Sequence, residues 1–131
     1  MKAKDREWAA LAYLLAIIPL WGILFDGLIW VHHRESNRKV VFHAHQAIAL
    51  HFIWLIVFVF FSLFLIVINI IRVMDNEIAR WFQFANFGLL LGFSLIYGLG
   101  CLWATFALLN GNENFEFPVV GPRLRKDYAE D

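Results

Sequence analysis

Five histidines and one carboxylate inside an apolar run are the residues of this chain with chemistry to offer. His32, His33, His43, His45 and His51 crowd into one short stretch, which makes a metal site the first question. The spacing argues against it. Ligands that share a helical face sit three or four residues apart, whereas His43 and His45 point to different faces and His43 and His51 lie about 12 Å apart along a helix. The histidines are read as interfacial side chains, and no metal is expected. Asp26 raises a different question, because a carboxylate among apolar residues is by default a proton-relay or ion-pathway candidate. The plainer reading, preferred here, pairs it with Arg34, Arg38 or a loop histidine near the membrane edge. His51 lies four residues after Ala47, and a histidine beside a small residue can hold the metal of a haem or chlorophyll ring. Ordinary helix packing is the preferred role for it, so no cofactor is expected. Cys101 has no second thiol to pair with. No nucleophile with a base at workable spacing, no glycine-rich phosphate loop and no paired acidic motif occurs, so catalysis is not expected.

These side chains must be positioned by apolar helices. Of the 131 residues, 61% are hydrophobic and only 17% charged, a balance that belongs in lipid rather than in a soluble domain. Eleven basic and eleven acidic residues cancel and leave no basic footprint for nucleic acid. Three runs are each long enough for the ~20 residues a span needs: residues 8–31, 47–72 and 81–109. Pro19 should kink the first. Arg72 and Asp75 close the second, and a hairpin from Met74 to Arg80 leads into the third, which Asn110 and Gly111 cap. Pro118, Gly121 and Pro122 then argue for a short non-helical tail over 110–131. The fold class expected is an all-α integral membrane protein with three transmembrane helices, in one membrane domain.

Within the spans, Asn69 and Asn86 are read as interhelical hydrogen-bond donors. Gly88 with Gly92, and Gly100 with Ala104, form small-xxx-small pairs that let backbones approach. Packing inside the chain is the preferred use of that face, with homodimerisation or docking on another membrane protein as the alternative. Sidedness is nearly balanced in a three-span topology. Lys2, Lys4, Arg6, Arg72 and Arg80 would share one side, against Arg34, Arg38, Lys39, Arg123, Arg125 and Lys126 on the other. The histidines tip the loop at 32–46 and the C-terminus toward the cytoplasm.

The loop after the first run carries the most information. Ser36 and Asn37 are good N-cap residues, and nothing from Arg38 onward interrupts a helix. A single helix of about 34 residues would be roughly 50 Å long and outrun the ~30 Å hydrocarbon core, so its first turns form an interfacial extension. The segment Val41-Phe-His-Ala-His-Gln-Ala47, with Asn110-Gly111 and Phe115-Glu-Phe-Pro-Val-Val-Gly121, resembles an uncharacterised family of small bacterial multi-spanning proteins. That family is distantly related to the twenty-kilodalton component of the chloroplast inner-envelope protein translocon. The similarity covers residues 8–121 and implies architecture, a plasma-membrane location and a translocation-related role. Phe115 and Phe117 stand where that family usually has tyrosine, so no phenolic hydroxyl is present there. His43 and Gln46 are three residues apart and share a helical face. They are expected to hydrogen-bond backbone carbonyls of the tail, docking the helix of Phe42, His43 and Gln46 on the tail's Phe115, Phe117 and Pro118. The function expected is that of an accessory, scaffold or translocation-related subunit without catalysis, held in the lipid bilayer beside another membrane protein or a second copy. The alternatives are an oligomeric ion or small-solute transport element using Asp26, or a subunit of a pigment- or haem-bearing bioenergetic complex.

Overall fold

The computed structural model describes residues 1–72 and 76–129, and all the regular structure among them is helical. The elements are α1 (Ala3–Ala16), α2 (Trp21–His33), α3 (Arg38–Arg72), α4 (Asn76–Leu109) and α5 (Gly121–Ala129). They fall into two compact units. One is Met1–Phe52 together with the described residues from Gly98 on, and the other is Ile53–Tyr97.

The first apolar run is not the single span expected over 8–31. It folds into α1 and α2, which pack against each other as a hairpin. Pro19 has no N–H to continue the helix, and a kink would have sufficed for that. The full reversal is made at Leu20, whose φ of 64° and ψ of −52°, with the Trp21 N–H donating to the Pro19 carbonyl at 2.7 Å, form a strained γ-turn. Gly22 then lets the two helices touch. A Cβ there would lie 2.6 Å from the Leu15 carbonyl oxygen and 3.0 Å from the Ala16 Cα. The other end of the hairpin is closed by Trp8, whose ring lies 5.3 Å from that of His33. At 14 and 13 residues, the helices are about 21 and 20 Å long, too short to cross a bilayer singly.

Asn37 starts α3 as the sequence suggests, its Oδ1 accepting from the backbone N–H groups of Lys39 and Val40 at 3.1 and 3.3 Å. This helix runs 35 residues without a break. Helix α4 begins at Asn76, five residues before the expected start of its span. The hairpin expected from Met74 to Arg80 therefore lies partly inside α4 and partly on residues 73–75, outside the described residues, as does the closing charge Asp75. Helix α4 ends in a Schellman arrangement, with the Asn112 N–H on the Ala107 carbonyl, the Gly111 N–H on that of Leu108, and Gly111 at φ 92°. Both long helices are apolar enough to cross a membrane. Only 6% and 11% of their most apolar stretches are buried, which a soluble core helix would not tolerate. In the unit Ile53–Tyr97 they run antiparallel: Trp54 Nε1–H donates to Ser94 Oγ at 3.2 Å and Asn86 Nδ2–H to the Phe61 carbonyl at 3.2 Å.

The tail departs from expectation too. It is not wholly non-helical, because residues 121–129 form α5. Proline at the second position of a helix has no N–H to waste and a φ already suited to helix, so Pro122 starts this helix rather than forbidding one.

Candidate functional site

The first unit places an alanine-lined face of α1 (Ala9, Ala10, Ala12, Ala16) in its core with Tyr13, and Val40, Val41, Ala44 and Ala47 of α3 in the same core. Such small side chains bring backbones close and leave the few large polar groups to meet one another. Tyr13 is the centre of that meeting. Its hydroxyl lies 2.5 Å from Gln46 Oε1 and 3.2 Å from His43 Nδ1. His43 Nε2 lies 3.3 Å from the Glu113 carbonyl in the tail. A carbonyl only accepts, so Nε2 carries the proton, and a neutral imidazole then presents Nδ1 as an acceptor. The single phenol proton thus faces two acceptors while Gln46 Nε2 is buried without a partner. A half-turn of the Gln46 amide, which exchanges its oxygen and nitrogen, gives an unbroken run: Gln46 N–H to Tyr13, Tyr13 O–H to His43 Nδ1, and His43 Nε2–H to Glu113.

Aromatic rings close the same node. Phe115 and Phe117 stand edge to face at 5.2 Å, and their centroids lie 6.3 and 5.7 Å from Tyr13. Phe117 also lies over Gly100, where a Cβ would come within 3.2 Å of its ring. His43 therefore meets the tail as the sequence suggests, whereas Gln46 turns to Tyr13 instead of a tail carbonyl. Phe42 packs edge to face on Tyr128 of α5 at 5.7 Å, and His45 Nδ1 is 3.1 Å from the Tyr128 hydroxyl. Pro118 is exposed in the turn before α5.

Outside this node, opposite charges tie the tail down. Glu113 Oε2 is 2.6 Å from the Met1 ammonium and 3.0 Å from Lys39 Nζ, and Arg125 pairs with Glu116. The Met1 ammonium, and then Lys39, hold the Glu113 carboxyl down at about 2. A cavity of about 190 Å³ opens beside these pairs, lined by Arg38, Lys39, Phe42, His43, Glu113, Asn114, Glu116, Arg125 and Tyr128. Among the described residues no three His, Cys, Asp or Glu side chains are grouped to hold a metal ion.

The remaining sequence candidates lie elsewhere. Asp26 is fully buried and neither of its oxygens has a hydrogen-bond partner, so the expected pairing with Arg34, Arg38 or a loop histidine is not made. His51 is buried, its ring against Gly22, and it hydrogen-bonds the backbone of Ala16. Ala16 ends α1, so its carbonyl is one the helix cannot satisfy, and His51 serves as its cap. Asn86 links α4 to α3, but Asn69 donates to Leu65 of its own helix at 2.8 Å. Of the small-residue pairs, Ala104 is buried and Gly100 meets Phe117, whereas a Cβ on Gly88 or Gly92 would find nothing within 4 Å. Among the described residues nothing packs on the Gly88 and Gly92 stripe.

Sequence reasoning missed Tyr13, Gly22 and Glu113. A lone tyrosine inside an alanine-rich stripe was the one available signal for the first. The model of the magnetosome magnetite crystal formation protein family (MamF/MmsF) matches residues 4–124, and that match carries no link to the chloroplast translocon component. No curated protein and no solved structure matches the chain.

Proposed function

The chain belongs to the magnetosome magnetite crystal formation family, and from that premise we propose that it is a non-catalytic accessory protein of a membrane in which such crystals form. In this reading α3 and α4 cross the bilayer. The α1–α2 hairpin enters the same leaflet and returns, while the N-terminus, the loop before α3 and the tail form one polar cap. The observation that carries it is the bareness of the long apolar faces in one unit, together with the polar groups of the other being engaged with one another. Bare apolar faces call for lipid or a partner helix, and engaged polar groups suit a rigid platform better than a reaction site.

The hairpin meets most of the demand lipid makes on backbone, with the Leu20 N–H left over at the turn. The N–H groups of Ile17, Ile18, Trp21 and Gly22 are bonded and Pro19 has none, while His51 takes the Ala16 carbonyl. Leu20, Trp21, Leu24 and Leu28 offer apolar surface at its tip and outer face. A returning hairpin also changes the charge count. Lys2, Lys4, Arg6, Arg34, Arg38, Lys39, Arg123, Arg125 and Lys126 then share the cap side, against Arg72 and Arg80 at the opposite helix ends. Nine against two supports a cytoplasmic cap under the positive-inside rule.

Because Glu113 and Glu116 are held by cations, the reading gives the cap a part in holding an assembly rather than in lining up iron. Deleting the gene in a magnetite-forming cell should alter crystal size or shape in electron micrographs, and the native protein should purify in mild detergent with stoichiometric membrane partners or as a homo-oligomer. Normal crystals together with a lone monomer would sink the proposal.

A further inference from the structure

Asp26 lies on the buried face of α2 with Gly22, Ile29 and His33. It is 0% exposed, and no donor reaches either carboxyl oxygen. The titratable groups around this face are few. From α1 comes the Tyr13 phenol, whose surroundings include Asp26, Cys101 of α4 and Glu116 of the tail. From α3 comes His51, against Gly22 one turn away and bonded to Ala16; His33, on the same face of α2, has its Nδ1 on the Ile29 carbonyl. Among the described residues no lysine or arginine is buried. A carboxylate here would be a buried charge without hydrogen bond or counter-ion, which a low-dielectric interior strongly disfavours. Among the described residues no three His, Cys, Asp or Glu side chains are grouped to hold a metal ion, and Asp26 lines none of the cavities beside the cap, the hairpin or the α4 N-terminus.

We propose that Asp26 is a proton-binding site, its carboxyl kept un-ionised by the closed α1–α2 hairpin, so that losing the proton and opening the hairpin are one linked event. When the hairpin opens, water reaches the carboxyl. The O–H bond breaks, its electron pair stays on the carboxylate oxygen, and the proton goes to that water. Above the ordinary aspartate range of ~3.9 the closed form binds one more proton than the open form until it ionises itself, and over that window opening becomes more favourable by about tenfold per pH unit. The inference goes beyond the accessory role and needs only the hairpin geometry.

The test uses the full chain in lipid nanodiscs. Aspartate labelled with carbon-13 at its side-chain carboxyl should show, at neutral pH, the infrared carbonyl band of an un-ionised acid in the wild type and none in Asp26→Asn. Amide exchange in α2, corrected for the intrinsic rate, should accelerate about tenfold per pH unit in the wild type and stay flat in Asp26→Asn. The band needs no variant, so a misfolded Asp26→Asn leaves the question decidable. Absence of the band in the folded wild type overturns the proposal. So does equal pH dependence in the two proteins, or protection that rises with added sodium, magnesium or calcium only when Asp26 is present.

Discussion

Tyr13 is a residue on which three segments converge, its hydroxyl joining α1 to α3 and, through His43, to the tail. Tyr13→Phe keeps the ring against Phe115 and Phe117 but leaves His43 and Gln46 buried without their partner. It should cost ~1–3 kcal/mol, read as a lower unfolding temperature in detergent, and should speed amide exchange in the tail. Unchanged exchange there would mean that the rings alone hold the tail. Glu113 makes a second prediction at this scale. Its carboxyl titrates at about 2 against an ordinary 4.5, so the docked tail gains stability from the ionised form. That gain is complete above 4.5 and is lost as pH falls through 2. Tail exchange should rise over that window in the wild type, and Glu113→Gln should show the looser tail already at neutral pH, with little further change on acidification. The His43 face and the Phe115 and Phe117 element were legible because helical spacing and a short aromatic repeat are local patterns. Tyr13 and Glu113 were not, since each acquires its role from a chain segment far away in sequence.

At the scale of elements, the fate of the first apolar run separates what composition reveals from what geometry adds. Residues 8–31 have the length and apolarity of a span, and a single Pro19 reads as a kink. The reversal depends on Leu20 accepting a positive φ and on Gly22 leaving no Cβ between the helices, and neither leaves a hydropathy signal. Relieving the turn should therefore help. Leu20→Gly removes strain of ~1–3 kcal/mol, sets against it an entropy cost of ~0.5–1 kcal/mol, and should raise the unfolding free energy by about 1 kcal/mol. Gly22→Ala pushes a methyl into the Leu15 carbonyl and should cost ~1–3 kcal/mol. Were the run a straight or kinked span, Leu20→Gly would weaken it instead. The long helices were easier to read. Asn37 at the start of α3 and Asn110-Gly111 at the end of α4 are local capping signals, and only the α4 start, where Asn76 to Arg80 join the helix, was misjudged. Helix α5 was missed because Pro122 was weighed as a breaker when at a helix start it is a favourable residue.

For the whole molecule, the proposed topology rests on the hairpin. If the first segment enters one leaflet and returns, the N-terminus comes to the cap side, and a balanced charge count becomes a strongly biased one. The hairpin also gathers Met1, Lys39 and Glu113 into one ion cluster. Cysteine accessibility in intact spheroplasts tests this most directly, with Cys101→Ala as background and Lys4→Cys, Ser36→Cys or Glu77→Cys added singly. With a membrane-impermeant maleimide, Glu77→Cys should label from outside, and Lys4→Cys and Ser36→Cys only after permeabilisation. Labelling of Lys4→Cys from outside with Ser36→Cys protected would mean three crossings, and would contradict the account.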